Sequence, residues 1–185
     1  TECSHAFRFQ PDPHGKGTSA EHIRLFIILA IATGGRKEAL LSLKWEQVDF
    51  VRGIIHLDDQ KAPHKRKGRA SVPMNRTILA ALHEQRKAAL SDYVIEWNGE
   101  RVKSVKRSLA KTAEKAGLKD VTAHVFRHSA ARWQAEAGIP MAKIAQYLGH
   151  SDDRITQRVY GRYAPSHMQD AADVLDLEFE EVRVG

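Results

Sequence analysis

The stretch "TAHVFRHSAARWQAEAGIPMAKIAQYLGH", residues 122–150, decides how the rest of the chain is read. It contains two helices in succession, one over 123–137 closed by Gly138 and one over 140–148 opened by Pro140 and closed by Gly149. Glycine ends helices because it enters the left-handed region at no steric cost, and proline suits a first turn whose N–H has no intrahelical partner. Into the start of the first helix the sequence puts His124, Arg127 and His128, three groups that bind anions or move protons where core packing asks for none.

Toward the C-terminus, "SDDRITQRVY" and "PSHMQDAADVLDLEFEEV" suggest two more helices. In the other direction, a helix is expected over 102–116, closed by Gly117, and another over 75–90 with Asn75 as its cap. "DYVIEWNG" is a short segment of ambiguous type that ends in a turn. "GIIHLDD" at 53–59 and "RASVPM" at 69–74 are β-prone, and the Lys- and Arg-rich stretch between them makes a hairpin with a basic tip. "KEALLSLKW" at 37–45 predicts a helix with Leu40, Leu43 and Leu41 toward the core. Before it, Thr18 or Ser19 caps a helix, Glu21 completes a capping box with Thr18, and the apolar run to Ala32 is ended by Gly34 and Gly35. "QPDPHGKGTS" at 10–19 reads as a loop. The expected fold is mainly α with a small antiparallel β-sheet near the front, an α+β arrangement.

With 185 residues and 42% apolar content, the chain can bury the core of one domain. Lys and Arg number 29 against 23 Asp and Glu, a formal charge of +6 that suits a polyanionic partner. Cys3 is the sole cysteine, which excludes an intramolecular disulfide and a thiolate zinc site and fits a reducing, cytosolic setting. The apolar run "LFIILAIA" is far shorter than the roughly 20 residues of a membrane span. Ten histidines give no close pair with carboxylate support, so no metal site is expected. The chain opens at Thr1 with no initiator Met and no secretory leader, which reads as an excised fragment.

The polar residues that helix packing leaves unexplained are Arg36, Lys65 or Lys67 in the hairpin tip, His124, Arg127, His150 and Tyr160. Together they have a chemical logic. Two guanidinium forks grip the non-bridging oxygens of a phosphodiester and stabilise a pentacoordinate phosphorane. A tyrosine hydroxyl then attacks phosphorus, but a phenol with a pKa of about 10 needs neighbouring cations and a proton acceptor. His124 suits that role, a hairpin lysine can protonate the departing 5′ oxygen, and His128 sits behind the site as a packing or hydrogen-bonding residue. Tyr163 is the rival nucleophile, disfavoured by its spacing to His150.

The order "TGGRKEALLSLKW", Lys-rich hairpin, "HVFRH", "LGH", "RVYGRYAP" resembles the catalytic domain of tyrosine recombinases, the phage integrase family, over roughly 33–165. Arg127 and His150 are 23 residues apart, and His150 and Tyr160 are 10 apart. The resemblance implies a site-specific recombinase or integrase that cuts one strand of double-stranded DNA, holds a 3′-phosphotyrosyl link and rejoins it to another 5′ hydroxyl, with no cofactor. It assigns Arg36 and Arg127 to the phosphate, His150 to a hydrogen bond on it, and Lys65 or Lys67 to the leaving oxygen. One departure stands out: the family commonly carries an acidic residue three positions after the first arginine, where this chain has Ala39. Glu38 comes one place earlier, and a one-residue shift on a helix turns a side chain by about 100°.

Lys44, Arg66, Arg69, Lys103, Lys106, Arg107 and Lys111 are candidates for the DNA backbone. The expected domains are an N-terminal linker or extension at 1–18, a catalytic domain at 19–165 and a C-terminal helix or tail at 166–185 that is exchanged between subunits, as the resemblance implies, or folded back. It implies a homotetramer on paired sites for the full-length protein, and weak DNA affinity with a monomeric or weakly associating state for this stretch. It also implies a bacterial or phage-encoded protein associated with the nucleoid in the cytoplasm. Two alternatives share much of this pattern: relaxation of supercoils by type IB topoisomerase-like chemistry, and a non-catalytic DNA-binding module.

Overall fold

The computed structural model describes residues 21–58, 70–150 and 152–164. The expected Thr18 cap, the hairpin tip with Lys65, Arg66, Lys67 and Arg69, and the tail helix lie outside these residues. The first helix, α1 (Glu21–Thr33), is apolar nearly all round, with Ile23, Leu25, Phe26, Ile27, Leu29 and Ala30 buried. Such a helix belongs in the middle of a domain, and α1 packs against both α3 (Arg76–Lys87) and α5 (Ala123–Glu136).

Thr33 and the two glycines after it form the turn that sets up the site. The Thr33 hydroxyl donates to the Leu29 carbonyl at 2.6 Å and accepts the Gly35 N–H at 3.0 Å. Gly34 sits at φ +60°, and a Cβ there would lie 2.6 Å from Leu148 Cδ2. The left-handed backbone costs a non-glycine residue about 1–2 kcal/mol, and the clash adds a further cost of about 1–3 kcal/mol. Gly34→Ala is therefore expected to lower the melting temperature by on the order of 10 °C at the scale of a domain this size. A thermal melt of the variant checks this; an unchanged midpoint would show that the α1 end and Leu148 are not in close contact.

The helix α2 (Lys37–Leu41) is shorter than the expected 37–45. Ser42 Oγ donates back to the Glu38 carbonyl at 2.7 Å and the chain leaves the helix. It then pairs with the 92–94 segment, through Trp45 N–H to the Asp92 carbonyl and Val94 N–H to the Leu43 carbonyl, both 2.9 Å. Leu40, Leu41 and Leu43 are all fully buried, as their spacing implied. After a 3₁₀ turn at Trp45–Gln47, β1 (Val48–Asp49), β2 (Ile54–Leu57) and β3 (Ala70–Pro73) form a three-stranded antiparallel sheet in that order. Ile55 faces Val48 on one side and Val72 on the other, and all three are buried.

Asn75 caps α3 by accepting the Ile78 N–H at 2.9 Å. The expected helix over 102–116 begins late, as α4 (Lys106–Lys115). Its first residues are diverted by a hairpin, β4 (Glu96–Trp97) with β5 (Glu100–Arg101). Asn98 and Gly99, at φ 52° and 79°, both take the positive φ that a tight two-residue hairpin turn needs. Helices α5, α6 (Met141–Leu148) and α7 (Asp153–Tyr160) follow. A smaller apolar cluster of Ala131, Ala135, Ile144, Leu148 and Tyr160 binds α7 to α5 and α6. Among the described residues no helix is long and apolar enough to cross a membrane.

Candidate phosphate site and tyrosine nucleophile

Arg127 is the residue around which the site is built. Its side chain is buried, and its two terminal nitrogens donate to the carbonyls of Gly34, at 2.7 Å, and Leu148, at 2.9 Å. The last carbonyls of a helix have no intrahelical donor, so the guanidinium satisfies one at the end of α6 and another just past the end of α1. It also ties three helices together. Of its five N–H groups these bonds use two, which leaves donors for an anion. Burial, and after it the positive charge of Arg36, pushes the Arg127 pKa down to about 10, so it stays cationic at neutral pH.

Arg36 is the N-cap residue of α2, half-buried, and makes no side-chain capping bond. It shares with Arg127 and His124 a cleft of about 470 Å³. Thr122 and Ala123 at the start of α5, and Val105 and Lys106 at the start of α4, line the same cleft. Helix N-termini present unpaired N–H groups and a positive dipole end, which suits an anion. Lys37 also lines the cleft; its place beside Arg36 in the sequence was the available signal for it.

His150 lies just past the left-handed Gly149 that closes α6. Its Nδ1 is 2.7 Å from the hydroxyl of Thr156, which is fully buried in α7. Burial first, then the charges of Arg127 and Arg36, push its pKa down to about 4, so the ring is neutral at pH 7. The unfolded chain therefore takes up a proton on this ring below about pH 6.5 that the folded chain refuses until about pH 4. Stability is expected to fall as pH drops through that window, and less so in His150→Gln. Urea midpoints of both proteins across the window test this; equal slopes would contradict it.

Tyr160, at the end of α7, is buried, and its hydroxyl is 2.6 Å from Nδ1 of His128. On its other side His128 Nε2 is 2.7 Å from Nε2 of His124, one helical turn back. The ring in contact with the phenol is thus His128, and His124, the acceptor the sequence suggested, meets the phenol only through it, because α7 docks on the later part of the helix turn. Burial raises the Tyr160 pKa, opposed by the charge of Arg127. Tyr163 lies in a 3₁₀ turn, Gly161–Tyr163, with the guanidiniums of Arg132 and Arg162 each 4.9 Å from its ring centre.

The structure thus brings Arg36, His124 and Arg127 to one cleft, and sets His150 and Tyr160 within the electrostatic reach of Arg127. Glu38, one residue off the family's acidic position, is ion-paired with Lys37 at 3.1 Å and Arg101 at 3.9 Å. Among the candidate backbone-contacting residues, Lys106 lines the cleft, while Lys103, Arg107 and Lys111 are exposed nearby in sequence. Lys44 is engaged with Glu46 at 3.9 Å and lies over the Tyr93 ring. Among the described residues no group of three His, Cys, Asp or Glu side chains is placed to hold a metal ion.

Comparison with known proteins agrees with this architecture. The tyrosine recombinase XerA of Pyrococcus furiosus is 31% identical over 162 residues, covering 83% of this chain and 54% of that protein. The chain spans about half the length of the curated relatives it matches. The Tn1549 transposon integrase, solved in complex with a circular intermediate DNA, superposes with a TM-score of 0.68 at 20% identity, over 87% of this chain and 60% of that one. The catalytic domain of bacteriophage HP1 integrase superposes with a TM-score of 0.60 at 21% identity, over 84% of this chain and 92% of that domain. The phage integrase family model matches residues 12–167. By that match, the chain belongs to the phage integrase family.

Proposed function

We propose that this chain is the catalytic domain of a site-specific DNA recombinase or integrase, which cuts and rejoins double-stranded DNA through a 3′-phosphotyrosyl link at Tyr160. The observation that carries this reading is the cleft shared by Arg36 and Arg127, together with the charge of Arg127 felt by both His150 and Tyr160. A phosphodiester seated there is held by two guanidinium forks and by N–H groups at the starts of α4 and α5. His150, neutral, donates from Nε2 when the Thr156 hydroxyl donates to Nδ1, and so adds a hydrogen bond without adding charge.

In the cleavage step the Tyr160 oxygen bonds to phosphorus and the bond to the 5′ oxygen breaks. The phenol proton leaves toward the histidine pair His128 and His124. The 5′ oxygen, a strong base, takes a proton from Lys65 or Lys67 in the hairpin tip. One ester replaces another, so no energy source is needed, and a 5′ hydroxyl from a second strand reverses the sequence. No group in this chemistry calls for a cofactor.

The partner is double-stranded DNA, approached through Lys37, Lys106 and the exposed cations of α4. Residues 19–165 form the catalytic domain, 1–18 a linker, and the acidic, apolar tail at 166–185 an element exchanged between copies in a tetramer on paired sites. The working location is the nucleoid-associated cytoplasm of a bacterium or a phage-infected cell.

The test is covalent capture. The whole chain is incubated with a randomised pool of duplexes nicked just past the candidate scissile position, so that the short fragment released with a free 5′ hydroxyl diffuses away. A protein band shifted onto DNA in a denaturing gel, joined through the 3′ phosphate, is the expected result. Retention of DNA under native conditions with no covalent band would instead make this a DNA-binding module.

A further inference from the structure

We propose that His128 is the residue that takes the proton from Tyr160, and that it relays a proton onward to His124 at the edge of the cleft. This rests on the reading of Tyr160 as nucleophile. His128 is in contact at both ends: Nδ1 at 2.6 Å from the phenol oxygen and Nε2 at 2.7 Å from His124 Nε2. A nitrogen–nitrogen contact that short holds one proton between the rings, since two lone pairs or two N–H groups would repel. A neutral imidazole has one N–H and one bare nitrogen. With Tyr160 donating to Nδ1, His128 carries its proton on Nε2 and donates it to His124, whose own proton then sits on Nδ1. All three groups are aligned in one direction, from the phenol toward the cleft.

The proton count closes. As Tyr160 attacks, its O–H bond breaks and a bond forms to His128 Nδ1. The Nε2–H bond of His128 breaks and a bond forms to His124 Nε2. His128 ends neutral in its other tautomer, and His124 becomes an imidazolium. That new charge appears in the lining of the cleft, beside Arg36 and Arg127, where negative charge gathers on phosphorus. Rejoining runs the relay backwards.

The groups facing His128 are His124 and Arg127 from its own helix and Tyr160 from α7. Tyr163 packs beyond Tyr160, and Arg132, one turn along α5, is committed to Glu136 at 2.6 Å. Burial, then the charges of His124 and Arg127, hold His128 below the ordinary imidazole range, so it is free to accept a proton at neutral pH. Acidification through that lowered pKa blocks the relay by protonating it.

Single-turnover adduct formation against pH tests the proposal, on a nicked duplex selected by covalent capture and on the same duplex with sulfur in place of the 5′ bridging oxygen. Sulfur leaves without protonation, so the second substrate reports attack alone. His128→Asn, which keeps a polar atom near Nδ1 but cannot accept a proton, is expected to slow the reaction about 100-fold or more at neutral pH on both substrates. Its rate should rise tenfold per pH unit where the wild type is flat, and His124→Asn should lower the plateau by a smaller factor. A wild-type pH profile in His128→Asn would overturn the relay, and so would a defect that the sulfur substrate rescues. Adduct formation by Tyr160→Phe would overturn the nucleophile reading itself. Loss in Tyr160→Phe with His128→Asn unimpaired would remove the relay alone.

Discussion

Arg127→Ala is expected to lose about 10³-fold or more in adduct formation and, unlike most active-site changes, to destabilise the fold as well. The first effect follows from the phosphate-holding role proposed for the guanidinium; loss of a single donor to such a charge typically costs about 10²–10³. The second follows from what else the guanidinium holds. Without it, the carbonyls of Gly34 and Leu148 lose buried donors, at about 1–3 kcal/mol each. The melting temperature should drop by on the order of 10 °C. Arg127→Lys separates the contributions, because an ammonium keeps the charge but cannot span two carbonyls and a phosphate with one planar fork. It should remain at least about 10²-fold impaired. Arg36→Ala offers the contrast: Arg36 makes no side-chain capping bond on α2, so activity should fall while the melting temperature stays within a few degrees. A calorimetric scan beside the adduct assay reads all three. Full activity in Arg127→Lys would mean that charge alone, and not the fork, holds the phosphate.

Much of the fold could be read from local signals that tertiary contacts did not override. Asn75, Pro140 and Gly149 mark their helix ends by capping and left-handed geometry that depend on few neighbours. Ile55 and Val72 announced a buried hairpin through their β-branched character. The misses share a cause. Strand β1 is two residues long and exists because Val48 and Asp49 meet Ile55 and Ile54, a pairing that no window of sequence reveals. The helix at 37–45 stopped at Leu41 because its last residues bond to 92–94, some 50 positions away. Residues 102–105 were drawn out of a helix by the Asn98–Gly99 turn, whose chemistry was legible as a turn but not as a hairpin, because its strands are two residues each.

The site shows the same division. Arg36, His124 and Arg127 could be singled out because helix packing had no use for them. The second role of Arg127 was hidden, because its partners lie 93 and 21 residues away. Which of His124 and His128 meets Tyr160 was also hidden, since adjacent rungs of α5 are told apart only by where α7 docks. The Thr156 hydroxyl that fixes the His150 ring had no signal in the sequence beyond a position one turn before Tyr160.

Tyr160→Phe should abolish the covalent adduct, while Tyr163→Phe should retain the wild-type rate within about threefold. The two residues are three positions apart, yet their surroundings differ. The Tyr160 hydroxyl meets His128, and burial raises its pKa while the charge of Arg127 offsets part of that rise. Tyr163 is half-buried between Arg132 and Arg162, which lie over its ring. Removing the Tyr163 oxygen therefore leaves the relay and the cleft intact. Removing the Tyr160 oxygen leaves no atom to bond to phosphorus. Native DNA retention should be equal in wild type and both variants, so a lost adduct reports chemistry and not binding.

The central claim is that two guanidiniums and one phenol oxygen act on a single phosphorus atom, and its most direct test is the identity of the residue joined to DNA. Peptide mapping of the trapped wild-type adduct should place the 3′-phosphoryl group on Tyr160, and Arg36→Ala and Arg127→Ala should each deplete that peptide. A phosphoryl group on Tyr163 or any other residue, or full yield of the Tyr160 adduct without either arginine, would contradict the account.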